Sequence, residues 1–581
     1  MIFKFLLAFF LIAQAHSDES QMKLENICGP YFLTSEKSIF ASSLKFNKNE
    51  LLLICGADTP GWKNIPPWQA LENIKNNLRK KGYYSPSILY IKNKIIIDPG
   101  NVSRIKTIIY KNTPPDFFDV KLSGIDNATL NTESIDQLKA WGLSRMRSID
   151  YPCPQVTVEA SVDNQTVIVN MLSGPKTPIH KVIRPNTPGI HPNIWTRFDA
   201  FQIGDEYKEN LFMLTSRRLA GSNLVNYSDF INECSSVEEK MGIFEERITL
   251  SQPRSLIFAI GASTEELGII KTSWRHSRID QYASQVEASV YLSTLEKSFQ
   301  TQSHWYPLPN SPRIYILPTF TVERNSEVFY TSVTQSLSSQ VGYYHDNSIH
   351  QYQLEAGPSY NIEDTLEGSG PPHVKYLSFD STIALLSHDY ELYQSIPQSG
   401  YQITADWNTR QKGLGSPTSG NRYQLKGTYL INWGHFSPPL YVLGFRFELA
   451  TLATPALENA PKKLRLYLGG NEDIRGFARK SINNQTQGYL TTAYLGTEIR
   501  ALQLLPYQLQ PLLFIDVAQT GTDTFTLDPT LFWSPGTGLR WQSPFGSFRA
   551  TGAYGLIAQK GLERSLPDGG WNFFLSYGQE F

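Results

Sequence analysis

The chain has 581 residues, too many for one ordinary domain, so two or more units are expected. Its formal net charge is −1 and its pI is near 6.8, which argues against a nucleic-acid partner, because phosphate neutralisation needs a basic surface. Charged residues make up 18%, below the usual roughly 25%, while 30 Tyr, 31 Phe and 11 Trp give high aromatic content.

Residues 1–15, MIFKFLLAFFLIAQA, carry one early cation, Lys4, and an apolar run from Phe5 to Ala13. Ala13-Gln14-Ala15 has the small-x-small form of a cleavage site. The pattern predicts a secretory signal peptide rather than a membrane anchor. After it, no stretch approaches the roughly 18 apolar residues of a spanning helix. Membrane passage, if it occurs, must then be by a closed barrel. The four cysteines are Cys28, Cys55, Cys153 and Cys234. In an oxidising space a Cys28–Cys55 bridge and two free thiols are equally expected. Cys153 and Cys234 fall in separate expected units and read as unpaired. No CxxC pair supports a zinc or other metal site.

In the first half, Trp68, Leu71, Ile74 and Leu78 recur at helical spacing within 66–84. Pro66-Pro67 suits the start of that helix; Arg79, Lys80, Lys81 and Gly82 suit its end. A hairpin is expected next, with strands Ile88–Ile91 and Lys94–Asp98 about a Lys-Asn turn. The arrangement recurs. A helix over Thr132–Arg147 carries Ile135, Leu138 and Trp141 on one face. Strands Val156–Ser161 and Val167–Leu172 follow. A third helix over Glu206–Leu219 carries Tyr207, Leu211 and Leu214, and a less regular strand pair ends near Leu250. The turns after the helices lie near 82, 150 and 222, a period of about 70 residues that predicts a chain of like modules. A single mixed α+β domain with accidental likeness is the alternative.

From Pro253 on, helix signals vanish and short alternating segments take over. In 489–501 Tyr489, Ala493, Leu495 and Ile499 share one face, with Thr492, Glu498 and Arg500 on the other. Leu513, Ile515 and Val517 oppose Asp516; Leu539 and Trp541 oppose Arg540; Phe548, Ala550 and Tyr554 oppose Arg549. At the end, Trp571, Phe573, Leu575, Tyr577 and Phe581 oppose Asn572, Ser576, Gly578 and Glu580. A soluble sandwich and a transmembrane barrel both have one apolar and one polar face per strand. Aromatic content suited to interfacial girdles, uneven loops and the terminal Phe581 favour the barrel. Roughly 330 residues at about 20 per strand and loop give about 16 antiparallel strands, with spans of roughly 9–11 residues.

Four segments carry a resemblance. Leu468-Gly-Gly-Asn-Glu-Asp-Ile-Arg475-Gly476-Phe477 resembles the RGF/Y loop motif of the outer-membrane protein 85 superfamily. Phe514-Ile-Asp516-Val-Ala518 resembles that family's aromatic-x-Asp-x-Gly strand, with Ala in place of Gly. Residues 534–549 look like its penultimate strand pair, and 573–581 like its terminal β-signal. The resemblance implies α+β POTRA modules in the periplasm, at 21–100, 101–175 and 176–251, before a transmembrane β-barrel at 252–581 in the outer membrane. Three modules and this length are most similar to the family's TamA branch. Two-partner transporters and BamA-like insertases are its other branches.

The resemblance implies no catalysis and no cofactor. It implies ATP-independent assembly of barrel proteins and autotransporters, with unfolded outer-membrane clients, the lipid bilayer and a TamB-like inner-membrane protein as partners. It also implies that the 468–477 loop folds into the lumen, where Arg475 meets Asp516 and Glu498. The family's seam would join the strand around Arg254–Ala262 to Gly570–Phe581, with Gly261 and Gly578 weakening packing there. The patterns GxSxG, HExxH and the P-loop are absent, and Ser387-His388-Asp389 reads as a strand end rather than a catalytic triad.

Overall fold

The computed structural model describes residues 32–34, 50 and 67–577, apart from 92–93, 118–120, 123, 233, 235–241, 348, 369, 394–396, 415, 417, 434–435, 456, 544–545 and 559–568. The expected signal peptide, Cys28 and Cys55, and the C-terminal Gly578 and Phe581 lie outside the described residues.

Two compact units emerge; the first contains two small sheets, the second a third such sheet and the barrel. In the first unit, helix Pro67–Lys80 buries Ala70, Ile74 and Leu78, spaced by four. Trp68 was expected on that face but is 66% exposed. It lies two residues before Ala70, about 200° around a helix of 3.6 residues per turn. Gly82, at φ +91, ends the helix in the left-handed conformation. Strands Ser87–Ile91 and Lys94–Asp98 form the expected hairpin. Phe32–Thr34 pairs parallel to the other side of Lys94–Asp98.

Helix Thr132–Ser148 starts behind Asn131, whose side chain accepts from Ser134 N at 2.8 Å. It buries Leu138, Trp141 and Met146. Its sheet again sets the first strand, Thr107–Lys111, parallel to the last, Thr166–Leu172, with Gln155–Ser161 antiparallel on the far side.

The third sheet repeats that order. Lys181–Ile183 runs parallel to Ile243–Leu250, and Val225–Asn232 antiparallel to it. Its helix, Glu209–Gly221, begins later than the spacing predicts. Tyr207 precedes it and stacks on Phe244, ring centroids 5.2 Å apart. The same strand order three times, each with a helix before the terminal hairpin or strand pair, is consistent with POTRA-like modules.

Cys153 and Cys234 form a disulfide, correcting the expectation of unpaired thiols. Residues 147–153 follow the second helix in sequence but pack with the second unit, where Cys234 also lies. Sequence periodicity placed the two cysteines apart; packing joins them.

From Arg254 the chain forms one closed antiparallel barrel. Gly546–Tyr554 and Leu556–Ala558 are one strand interrupted at Gly555, so the seventeen segments in the barrel order make sixteen strands. Alternation sets the two faces. Leu513 and Ile515 are exposed on the outside, while Phe514 between them and Asp516 after them are buried inside. Leu539, Phe548 and Tyr554 face out and Arg540 and Arg549 face in. Tyr489 departs from the expectation. It lies before the strand Thr491–Ala501 and is buried with Leu468, Ile474 and Phe477.

Outward-facing aromatics gather at both rims. Tyr343, Tyr401, Tyr429 and Trp433 lie at one; Trp407, Tyr423, Trp533 and Tyr554 lie toward the other. Tyr401 and Trp407 are six residues apart on one strand, roughly 20 Å at about 3.4 Å per residue, close to the roughly 25 Å apolar band of such barrels.

A chain carrying both Cys153→Ser and Cys234→Ser should fold its barrel but lose stability in the third module by about 2–5 kcal/mol, the usual cost of a lost native disulfide. Proteolysis over 174–250 under increasing urea, compared between the oxidised parent and the variant, measures this.

Candidate functional site: a buried arginine loop beside a short seam

The longest connection in the barrel, residues 454–490, joins Tyr441–Ala453 to Thr491–Ala501. It turns back into the lumen and is tied there along its length. Glu363, on a strand across the lumen, accepts from Lys462 N at 2.5 Å and Lys463 N at 3.2 Å. Glu327 pairs with Arg479 at 3.1 Å and Lys480 at 2.8 Å. Within the loop, Asp473 accepts from Gly469 N at 2.7 Å and Ile474 N at 2.5 Å. The turn this makes holds Gly469 at φ +109 and Gly470 at φ +125, conformations that side chains disfavour.

The turn delivers Arg475 to the wall, where it is fully buried. Its Nε and Nη2 donate to the two oxygens of Asp516, each at 2.8 Å, a bidentate pair. Its Nη1 donates to Glu498 Oε2 at 2.7 Å, and its backbone N to Asp516 at 3.2 Å. The guanidinium carbon lies 3.3 Å from the centre of the Phe514 ring, a cation–π contact stripped of water. Tyr494 donates to Asp516 at 3.2 Å and itself accepts from Arg446 at 3.0 Å. Arg500 and Arg549 reach Glu498 at 2.9 and 3.4 Å.

Gly476 then presses its backbone against the wall. A Cβ there would strike Ser534 and Gly555. Phe477 is buried edge-on against Phe532, centroids 5.6 Å apart.

The loop also touches both sides of the barrel seam. Gly476 O accepts from Asn572 on the last strand at 2.6 Å. Asn471 N donates to Glu265, just after the first strand, at 3.2 Å. Among the described residues the seam itself is short. The first strand, Arg254–Ser263, pairs with its other neighbour from Arg254–His276 to Gly261–Ile269. Against the last strand, Trp571–Tyr577, it pairs only at Ala262–Tyr577 and Ser263–Ser576 among the described residues. Thr264 N adds a bond to Leu575 O at 2.9 Å. Leu256, Ile257, Phe258 and Ile260 are all exposed, although they alternate in direction. Both faces of this stretch are therefore open.

The Omp85 superfamily domain matches residues 270–581, more than half of the chain. The chain belongs to the Omp85 superfamily. This places its barrel in the outer membrane. A comparison with curated proteins finds no match. Among solved structures, BamA from Haemophilus ducreyi lacking POTRA domains 1–3 is similar at 13% identity and a TM-score of 0.50, covering 82% of this chain and 99% of that one. CdiB from Acinetobacter baumannii is similar at 12% identity and 0.46, covering 87% and 96%. CdiB from Escherichia coli is similar at 13% and 0.45, covering 92% and 99%.

In this Omp85 chain Arg475, Asp516 and Glu498 meet in one cluster, and Gly476 and Phe477 pack beside it. Gly261 and Tyr577 lie at the seam, where a Cβ on Gly261 would come 2.9 Å from Tyr577 O. The sequence pattern assigned no role at the site to Phe514, Tyr494, Gly555 or Asn572. Strand alternation signals three of them, since Phe514 shares the inward parity of Asp516, Tyr494 that of Glu498, and Asn572 faces in. Ser387 ends a strand and caps the helix His388–Leu392, accepting from Tyr390 N at 3.3 Å, while His388 reaches Asp346 at 3.1 Å.

Removing one member of a buried ion pair typically costs about 3–5 kcal/mol, so Arg475→Ala should destabilise the barrel by about that much. Arg475→Lys keeps the charge but loses the fork, and should fall between. The temperature at which the folded form disappears on semi-native gels ranks the three proteins. Gly476→Val should free the loop, read as new protease cleavage within 468–480 of an otherwise folded barrel.

Proposed function

We propose that this protein is an assembly factor that inserts or translocates other outer-membrane β-proteins through its seam. The observation that carries this reading is the two-pair contact between Arg254–Ser263 and Trp571–Tyr577. Among the described residues Arg254–Gly261 has no strand partner on the seam side, which leaves an edge of the kind on which an incoming strand adds by β-augmentation. Parting the pairs seen among the described residues breaks few hydrogen bonds, and the scheme invokes no nucleotide. The superfamily supports an insertase or transporter role in general.

More finely, three POTRA-like sheets support a TamA-like protein. Its modules then lie in the periplasm, a TamB-like partner docks on the first of them, and autotransporters and other barrel proteins are the clients. Neither catalysis nor a cofactor enters this scheme. A two-partner-secretion transporter or a BamA-like insertase is the alternative within the superfamily. Depletion followed by an outer-membrane proteome separates them. Loss of autotransporters supports the TamA-like role; loss of a single secreted protein indicates two-partner secretion, and general loss of barrels a BamA-like role.

Seam opening has its own test. Cysteines placed at Ser263 and Ser576, which face each other, should form a disulfide under oxidation. The oxidised protein should lose client assembly and regain it on reduction. Full activity in the cross-linked form would sink the mechanism.

A further inference from the structure

The second unit holds a cleft of about 640 Å³ between the third sheet and the barrel rim. One wall is the edge strand of that sheet, with Lys181 and the neighbouring His180, and the loop residue Ile203. The other wall is the turn around Arg313, with Ile314 and Tyr343. Ile314 and Tyr343 are opposite one another on neighbouring strands. They share the parity of the exposed Phe320 and of the exposed Leu337 and Val341, so both face outward, at the end of the barrel nearer the third module. Tyr343 belongs to the aromatic rim on that side. The cleft therefore opens at the membrane surface, half against lipid and half against water.

Its charge and its apolar surface point the same way. Lys181, Arg184 and Arg313 line it against the single acid Asp199. Arg184 is neutralised by Asp199 and by Glu246 at 2.7 Å. Arg313 is held by the carbonyls of Thr196 and Asp199, at 3.3 and 3.1 Å, and pairs more loosely with Asp346 at 3.7 Å, so Lys181 is the cation to which a bound phosphate owes most. Lys181 is exposed and forms no ion pair with a described residue. Ile203, which lines the cleft with these cations, is 62% exposed.

We propose that this cleft seats an anionic phospholipid of the leaflet on the module side. Its phosphate lies against Lys181 and Arg313, and its acyl chain runs along Ile203, Ile314 and Tyr343. The volume lies within the range of roughly 300–1,000 Å³ for small-molecule sites. Basic pockets beside membrane-spanning elements and rim aromatics are the two recurring means of holding headgroups. An extended peptide adding to the Lys181–Ile183 edge is the competing occupant. It would not need the outward-facing Ile314 and Tyr343. The site does not depend on seam opening or on which clients the protein handles.

The test uses the full chain in nanodiscs made with phosphatidylglycerol or with phosphatidylcholine alone. A photoactivatable phosphatidylglycerol should cross-link at 180–184 and 310–314, and native mass spectrometry should show retained phosphatidylglycerol. Lys181→Glu and Ile203→Asp, both exposed positions, should each lower retention about five-fold while the barrel stays folded on semi-native gels. Phosphatidylcholine should not cross-link there, and inorganic phosphate should not compete. Unchanged retention in both variants overturns the proposal. So does competition by inorganic phosphate, which would indicate a free-anion site, or competition by a strand-forming peptide.

Discussion

A guanidinium cannot be carried into a protein wall alone. Burial of an unpaired charge costs several kcal/mol even after relaxation. Arg475 therefore stays in the barrel only because Asp516 and Glu498 face inward at the right height, and because its fork meets the first of them at two points. Much of the rest follows from that contact. The loop must fold back, so glycines must supply the left-handed turn at 469–470. The backbone after Arg475 must press against Ser534 and Gly555, so residue 476 must be glycine. The loop is then tied to the wall at Glu363, Glu327 and Asp516.

The same loop bridges the weakest line in the wall. Lipid offers no partners for unpaired backbone groups, so barrels normally close fully. Among the described residues the first strand pairs along most of its length on one side and at its far end on the other. The loop contacts both margins of that seam, through Asn572 and Glu265. An Arg–carboxylate cluster of high cohesion thus sits next to a strand junction of low cohesion.

The third module is not a free appendage. Arg218 on its helix forks onto Glu391 at 2.8 and 2.6 Å and reaches Asp346 at 2.8 Å, both on the barrel. Arg197 donates to the carbonyls of Tyr282 and Pro312 in two barrel turns and lies 3.3 Å over the Tyr306 ring. These contacts, with the 153–234 bridge behind them, fix this module against the barrel.

Sequence by itself determined the alternating strands, the polar face that carries the acids and the recurring helix-and-strand pattern. Each rests on a local period: two for strands, 3.6 for helices, about 70 for the repeat. The pairing of Arg475 with Asp516 and Glu498 was legible only through the loop motif, because no local rule tells a lumen loop from a solvated one. Tertiary structure alone decided that Trp68 faces out, that Tyr489 belongs to the loop core, and that Cys153 meets Cys234. It alone decided how few residues hold the seam. All four depend on which distant segments share a surface, and alternation along one strand carries no information about where its neighbour stops.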